Sequence, residues 1–296
     1  MAACTDRVSP RFSALAIVQG LQASSKMLLE HRMLLIGLLL LAVIILATAV
    51  GPLFIPYGPL KTDPEARLQP PNLAHPMGTD NFGRDVLVRV LYSIRLDLGI
   101  SSMVAFTALI VGTLVGAFSG YYGGTVDDVV MRITDVMMAF PSFVLAMVIT
   151  AMLGNTIPNV VIAIAIAYTP FFIRLTRGEM LSARELGYAE AARCVGNPEW
   201  RVMYLHLLPN CLTPALVQAT LCLGWAILNA SGLAFLGLGV RPPTPELGVL
   251  VGEGTQFIIS GEWWISLFPG AVIVLVAFAF NLIGDSLRDI TAQEER

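Results

Sequence analysis

Long uncharged stretches alternate with short polar ones along the chain, and the apolar stretches are as long as a bilayer is thick. Residues 33–50 form an unbroken apolar run, 98–118 carry no charge, and 127–153, 157–173, 212–240 and 263–284 follow with few charges. Roughly 20 apolar residues in a helix cross a hydrocarbon core, so the pattern predicts six transmembrane helices. The first run is too long for the apolar core of a secretion signal and its lead, residues 1–32, is too long as well. The stretch 212–240 exceeds one crossing and is expected to break between Gly232 and Gly239. Gly51, Pro52, Pro56, Pro59 and Pro64 predict an extended, turn-rich segment after the first span. Glu253 and Glu262 bracket an interfacial or re-entrant segment, with Trp263 and Trp264 expected at the headgroups. Tyr121 and Tyr122 suit the interface after the second span.

Composition agrees with this pattern. Hydrophobic residues make up 56% of the chain and charged residues 13%, with a mean hydropathy of +0.74. Soluble domains carry about a quarter charged residues. The chain therefore reads as an all-α integral membrane protein, in contact with membrane lipid and without a nucleic-acid partner. The net charge of −3 says little; the positions of the arginines say more. Arg174, Arg177, Arg184, Arg193 and Arg201 crowd the connection between spans four and five, whereas Arg241 stands alone between five and six. The positive-inside rule puts the crowded loop, and both termini, in the cytoplasm. Residues 52–95 disagree with five basic residues, diluted by Asp63, Glu65, Asp80 and Asp85. The resulting division is a cytoplasmic segment at 1–32, a first span at 33–51, an external segment at 52–95, a core at 96–289 with its loop at 178–210, and a tail at 290–296.

Charges near the span ends have modest readings. Thr79 and Asp80 are expected to cap a helix, Arg84 and Asp85 to be solvated or paired at the surface, and Arg89 and Arg95 to snorkel. Arg132 and Asp135, three apart, are expected to pair on one helix face. Asn229 and Asn281 are the polar candidates for a substrate pathway, with helix-to-helix hydrogen bonding as the alternative use. Cys4, Cys194, Cys211 and Cys222 show no metal or redox spacing and are expected as free thiols. Only Lys26 and Lys61 are present and neither follows a glycine, so no phosphate-binding loop exists in this chain.

The polar island 178–210 reads as two short helices with a break at Gly196. Tyr188, Ala191, Ala192 and Val195 share one face of the first helix, and Ala189, Ala191 and Ala192 keep it slim. Asn197, Pro198 and Glu199 predict the start of the second, and Pro209 its end. Trp200, Met203, Tyr204, Leu207 and Leu208 form its apolar stripe.

The order Glu190-Ala191-Ala192, Gly196, Leu208-Pro209 resembles the coupling loop of permease subunits in ABC importers. His206-Leu-Leu-Pro-Asn210 is similar to the form in the dipeptide/oligopeptide/nickel branch, while His206 departs from the aliphatic residue of many importers. Gly78-Thr79-Asp80 with Gly83-Arg84-Asp85, and Phe235-Leu-Gly-Leu-Gly239 with Pro242-Pro-Thr-Pro245, resemble two further elements of that branch and of its C-type subunits. The resemblance covers about residues 77–289. It implies a non-catalytic permease subunit of a bacterial inner-membrane importer of short peptides. It also implies a second homologous permease subunit, two ATPase subunits carrying ATP and Mg, and an external or periplasmic substrate-binding protein; no cofactor is expected on this chain. Tyr188, Glu190, Ala191, Ala192, Arg193 and Gly196 are then the residues expected to couple to the ATPase. Glutathione or nickel remain alternative substrates for the same machine. A secondary transporter or an intramembrane hydrolase is the alternative from another class; an H-E-x-x-H zinc motif is absent.

Overall fold

The computed structural model describes residues 32–55 and 57–294; of the expected cytoplasmic segment at 1–32, all but Arg32 lies outside the described residues, Cys4 included. Helices run as α1 (Arg32–Phe54), α2 (Val86–Tyr122), α3 (Gly124–Met138), α4 (Ser142–Leu153), α5 (Ile157–Ala183), α6 (Gly187–Cys194), α7 (Glu199–Arg201), α8 (Leu212–Phe235), α9 (Leu247–Thr255) and α10 (Trp264–Glu294). Among the described residues there is no strand, only an isolated bridge between Thr79 and Asp85.

Five helical stretches are long and apolar enough to cross a membrane: Arg32–Phe54, Val86–Tyr122, Ile157–Ala183, Glu199–Phe235 and Trp264–Ala292. The stretch expected as the third span is instead α3 and α4, bent by 92°. Pro141 explains the bend, because it withholds an N–H and disfavours helical geometry at Phe140 before it. The long fifth stretch breaks where glycines end it: α8 stops at Phe235 and Gly237 takes φ +75. At the C-terminus α10 continues through 290–294, residues assigned to a tail from the sequence.

The centre of the molecule is the pair α2 and α5. Gly112, Gly116 and Gly120 recur every fourth residue on α2, so their bare faces form one ridge. A Cβ at Gly112 would lie 2.3 Å from Phe172 Cβ, and one at Gly116 would lie 2.5 Å from the Ile173 carbonyl oxygen. At these glycines the two helices meet with no side chain of α2 between them. Val104, Ala108, Ile164, Phe172, Ala215 and Ala226 close the core around them. α3 lies beside α5 through Arg177, which binds Asp127 with two 2.5 Å bonds, and Arg174, which binds Asp135 at 2.5 Å. The expected Arg132–Asp135 pair does not form; Arg132 is exposed, and α5 takes the acid.

α2 and α10 set the polarity of the bundle. α2 begins at Asp85, whose carboxylate caps it by accepting from Val88 N (3.0 Å), and ends at Tyr121 beside the 184–211 segment. α10 begins beside α2's start, where Trp264 Nε1 donates to the Thr79 carbonyl (3.1 Å). Trp264 is thus buried within the protein, while Trp263 is 47% exposed. Leu34 of α1 packs with Ile283 and Ile290 of α10, so the outer ends of the first and last described helices lie together.

Candidate functional site

The segment 184–211 folds from small residues and one positive φ. α6 has no side-chain cap at Leu186 and ends where Gly196 N–H donates to the Arg193 carbonyl (2.8 Å). Gly196 takes φ +85, a conformation that costs glycine little and other residues more. Asn197 does not cap the following helix. Its Nδ2 donates back to the Ala192 carbonyl (3.0 Å), closing the end of α6, and Pro198 opens α7 instead. Pro209 does not end the second helix either. The turn widens to a π-helix over Val202–Leu207, tightens to 3₁₀ over Leu208–Cys211 and runs into α8. The widened turn gives the proline ring room and removes the demand for its missing N–H.

α6 seats itself by Ala189, fully buried against Tyr121, Met180, Met203 and Leu207, with Ala192 half-buried beside it. Tyr188, Glu190, Ala191 and Gly196 face outward. Arg193 is partly exposed and is already engaged: its guanidinium lies over the Tyr121 ring at 5.5 Å, its Nε is 3.4 Å from the Tyr121 hydroxyl, and Glu199 stands 3.9 Å away. The bond to Tyr121 raises the Arg193 pKa above its ordinary value. Tyr121 also donates a short hydrogen bond to Glu199, and Arg184 Nη1 donates to the Gly120 (3.0 Å) and Tyr121 (3.2 Å) carbonyls. The end of α2 therefore mounts both halves of the segment.

Tyr121 and Glu199 were missed as mounting residues from sequence, because 78 positions separate them. Leu186, Val195 and Trp200, at 51%, 83% and 53% exposure, were not singled out as a surface. Apolar residues in a polar loop were the available signal. In the expected stripe, Met203, Leu207 and Leu208 are buried and Tyr204 half-buried, whereas Trp200 turns out beneath Arg201.

The opposite end of the bundle holds a buried ion network. Asp80 Oδ2 accepts from Arg84 Nε (2.6 Å) and Arg89 Nη1 (2.7 Å), and Glu253 Oε2 of α9 accepts from both arginines (3.1 and 2.7 Å). Asp80 and Arg89 are each 1% exposed, so neither is the capping or snorkelling group expected. Arg95 stays exposed, and its Nε donates to the Thr48 carbonyl of α1 at 3.0 Å. Asp85, besides capping α2, meets His75 Nδ1 at 2.7 Å and accepts from the Tyr57 hydroxyl at 3.2 Å. Burial, then the Asp85 charge, raises the Tyr57 pKa.

Among the polar candidates in the spans, Asn229 uses its Nδ2 to donate to the Tyr168 hydroxyl and the Trp225 carbonyl, both at 2.8 Å. Asn281 is half-buried on α10. Cys194, Cys211 and Cys222 are free thiols.

Known proteins resemble this chain over most of its length. Residues 112–296 match the family described as "Binding-protein-dependent transport system inner membrane component". Residues 21–71 match "N-terminal TM domain of oligopeptide transport permease C". A dipeptide transport system permease protein, DppC, of Alkalihalophilus pseudofirmus is 44% identical over 89% of this chain and 86% of its own. A putative peptide transport system permease of Brucella abortus is 42% identical over 90% of each chain. A solved inward-facing structure of the MetNI methionine ABC transporter superposes with a TM-score of 0.53 at 19% identity, over 69% of this chain and 96% of that one.

Proposed function

This chain belongs to the inner-membrane components of binding-protein-dependent transport systems, and from that premise we propose that it is one permease half of an ATP-driven importer of short peptides. It is a multi-pass membrane component that transports and does not itself catalyse. The family implies partner ATPases and a substrate-binding protein. In this reading a second homologous permease completes the pathway, two ATPase subunits hold ATP and Mg, and the binding protein delivers peptide from outside the bacterial inner membrane.

The observation that carries the reading is the 184–211 segment. A short helix with a slim seated side presents Tyr188, Glu190, Ala191 and Val195 outward and turns away at Gly196. That shape suits insertion of α6 into a cleft on an ATPase. The arginine excess there argues for the cytoplasmic side, which would put both termini inside. Closure of the ATPases would drive α6 and tilt the spans mounted on it, opening the pathway outward; hydrolysis would reset it. Peptide as cargo is supported by the names of the relatives.

The test is the complex purified through this tagged subunit and reconstituted with its binding protein. ATP-dependent dipeptide uptake is expected, with glutathione and Ni²⁺ as competitors to rank cargo. Gly196→Val, which forces a β-branched side chain into positive φ, is expected to lower uptake at least tenfold while hydrolysis continues. Uptake at the wild-type rate by Gly196→Val at normal abundance rejects the coupling assignment. Transport by this chain alone, without ATP, rejects the importer.

A further inference from the structure

Two cavities on one side of the bundle meet at Phe171 and Gln218. The first, about 340 Å³, is lined by Ser142, Tyr168 and Trp225 as well. The second, about 390 Å³, continues past Arg174, Gly178 and Glu179 toward the end of the bundle that carries the 184–211 segment. On α5 the lining positions Tyr168, Phe171, Arg174, Leu175 and Gly178 recur at helical spacing, and on α8 Gln218 and Trp225 are seven apart. The two faces thus form one groove, roughly 16 Å long at about 1.5 Å per residue from Tyr168 to Glu179. Two other large grooves differ in chemistry. One, along α10, is walled by Trp263, Leu267, Ala271 and Val274, and one between α1 and α2 by Leu46, Phe54 and Leu91, surfaces suited to acyl chains.

Not every polar group of the groove is taken up by the fold. Thr113, Thr150, Thr169 and Thr220, elsewhere in the spans, return their hydroxyls to carbonyls of their own helices. The Gln218 carboxamide, half-buried and shared by both cavities, has no hydrogen-bond partner among the described residues. The Tyr168 hydroxyl, by contrast, is engaged within the fold, where it accepts from Asn229 at 2.8 Å. Further along, Arg174 and Asp135 pair at 2.5 Å while about half exposed (50% and 59%), so neither charge is locked away. A polar group such as Gln218, within a span and without a partner among the described residues, marks a path for something polar.

We propose that this groove is the peptide-contacting surface of the subunit, with Gln218 hydrogen-bonding the peptide backbone and the Arg174–Asp135 pair exchanging partners with the peptide's termini. The inference rests on the importer reading and adds to it the residues and the recognition chemistry. A carboxamide offers both donors and an acceptor, which is what a peptide unit requires whatever its side chains. Arg174 matches a terminal carboxylate and Asp135 a terminal ammonium, so a zwitterion replaces one ion pair with two. Phe171 and Trp225 supply an apolar wall for side chains. An extended peptide advances about 3.3–3.6 Å per residue, so di- and tripeptides fit well within the groove.

The experiment uses the whole complex with its binding protein. Gln218→Leu keeps side-chain bulk and removes both donor and acceptor; uptake of dialanine is expected to fall about tenfold, with ATP hydrolysis and assembly unchanged. In a second variant Gln218→Cys is combined with serine at Cys4 and Cys194. A charged, membrane-impermeant methanethiosulfonate is expected to label it, and turnover with dialanine to slow labelling. Wild-type uptake by Gln218→Leu together with labelling indifferent to peptide overturns the groove assignment and leaves the importer standing. Labelling only by lipid-soluble reagents overturns it as well, as a lipid-facing surface. Absence of ATP-dependent dialanine uptake by the unmodified complex overturns the importer reading and this inference with it.

Discussion

Arg89 carries a positive charge at 1% exposure and depends on Asp80 and Glu253 for its neutralisation. Removing one partner of such a buried network strands the other, at about 3–5 kcal/mol. Asp80→Asn is therefore expected to lower the melting temperature of the detergent-solubilised complex and its abundance in the membrane, and Arg132→Gln, at an exposed residue, to leave both unchanged. Equal melting of the Asp80 variant and the wild type would show that water already neutralises the arginines. A second buried group nearby titrates. Glu246 caps α9 by accepting from Val249 N (2.8 Å), is fully buried and meets the carboxyl of Asp97, and burial raises its pKa above the ordinary 4.5. A raised carboxyl stabilises the fold below its ordinary value, and that stability is lost as pH climbs toward the folded value. Melting temperature is expected to decline upward from about pH 4.5, and Glu246→Gln to flatten that decline; identical slopes would contradict it. The sequence could flag Asp80, Arg84 and Arg89 as charges near a span but not as buried ones. Their counter-ion Glu253 lies 164 positions beyond Arg89, and nothing local joins them.

At the scale of helices, the ridge of Gly112, Gly116 and Gly120 decides how near α2 lies to α5. A methyl group at Gly116 meets the Ile173 carbonyl at 2.5 Å, backbone that cannot move aside alone. Gly116→Ala is expected to cost about 1–3 kcal/mol through overpacking. Gly99→Ala, on the same helix but with open space around its missing Cβ, is expected to be neutral or slightly stabilising. Thermal melting of the two variants in one detergent compares them directly, and equal melting would mean the helices separate at little cost. The four-residue spacing of these glycines was present in the sequence, but spacing names a close face without naming its partner. Apolar length gave the remaining spans well, since it measures the solvent each helix must cross. At 127–153 it gave no sign of the 92° bend, because hydropathy cannot register a proline-driven turn between two short helices. The proline rule failed at Pro209, because the turn widens to a π-helix just before it and the chain runs on through a 3₁₀ turn into α8.

Across the whole molecule, α2 joins the two polar ends. It starts in the Asp80–Arg89 network and finishes in Tyr121, so a 37-residue helix fixes the 184–211 segment relative to α9 and the far end. The candidate site was legible as far as the short helix, its slim side and its glycine break, which are local properties. Its mounting was not, because Tyr121 reaches Glu199 and Arg193 only after α2 and α6 have packed. If motion of α6 is to tilt the spans, this mount must transmit force, and side-chain packing by Ala189, Met203 and Leu207 provides only part of it. Tyr121→Phe keeps the ring beneath Arg193 and removes the hydroxyl shared by Arg193 and Glu199. A complex carrying this variant is expected to assemble and hydrolyse ATP as the wild-type complex does, yet to spend several times more ATP for each peptide imported. Parallel measurement of hydrolysis and uptake in the same proteoliposomes gives that ratio. An unchanged ratio would assign the transmission to the apolar seat of α6 alone, and Ala189→Asp, which places a charge in that seat, would then be the variant that separates assembly from coupling.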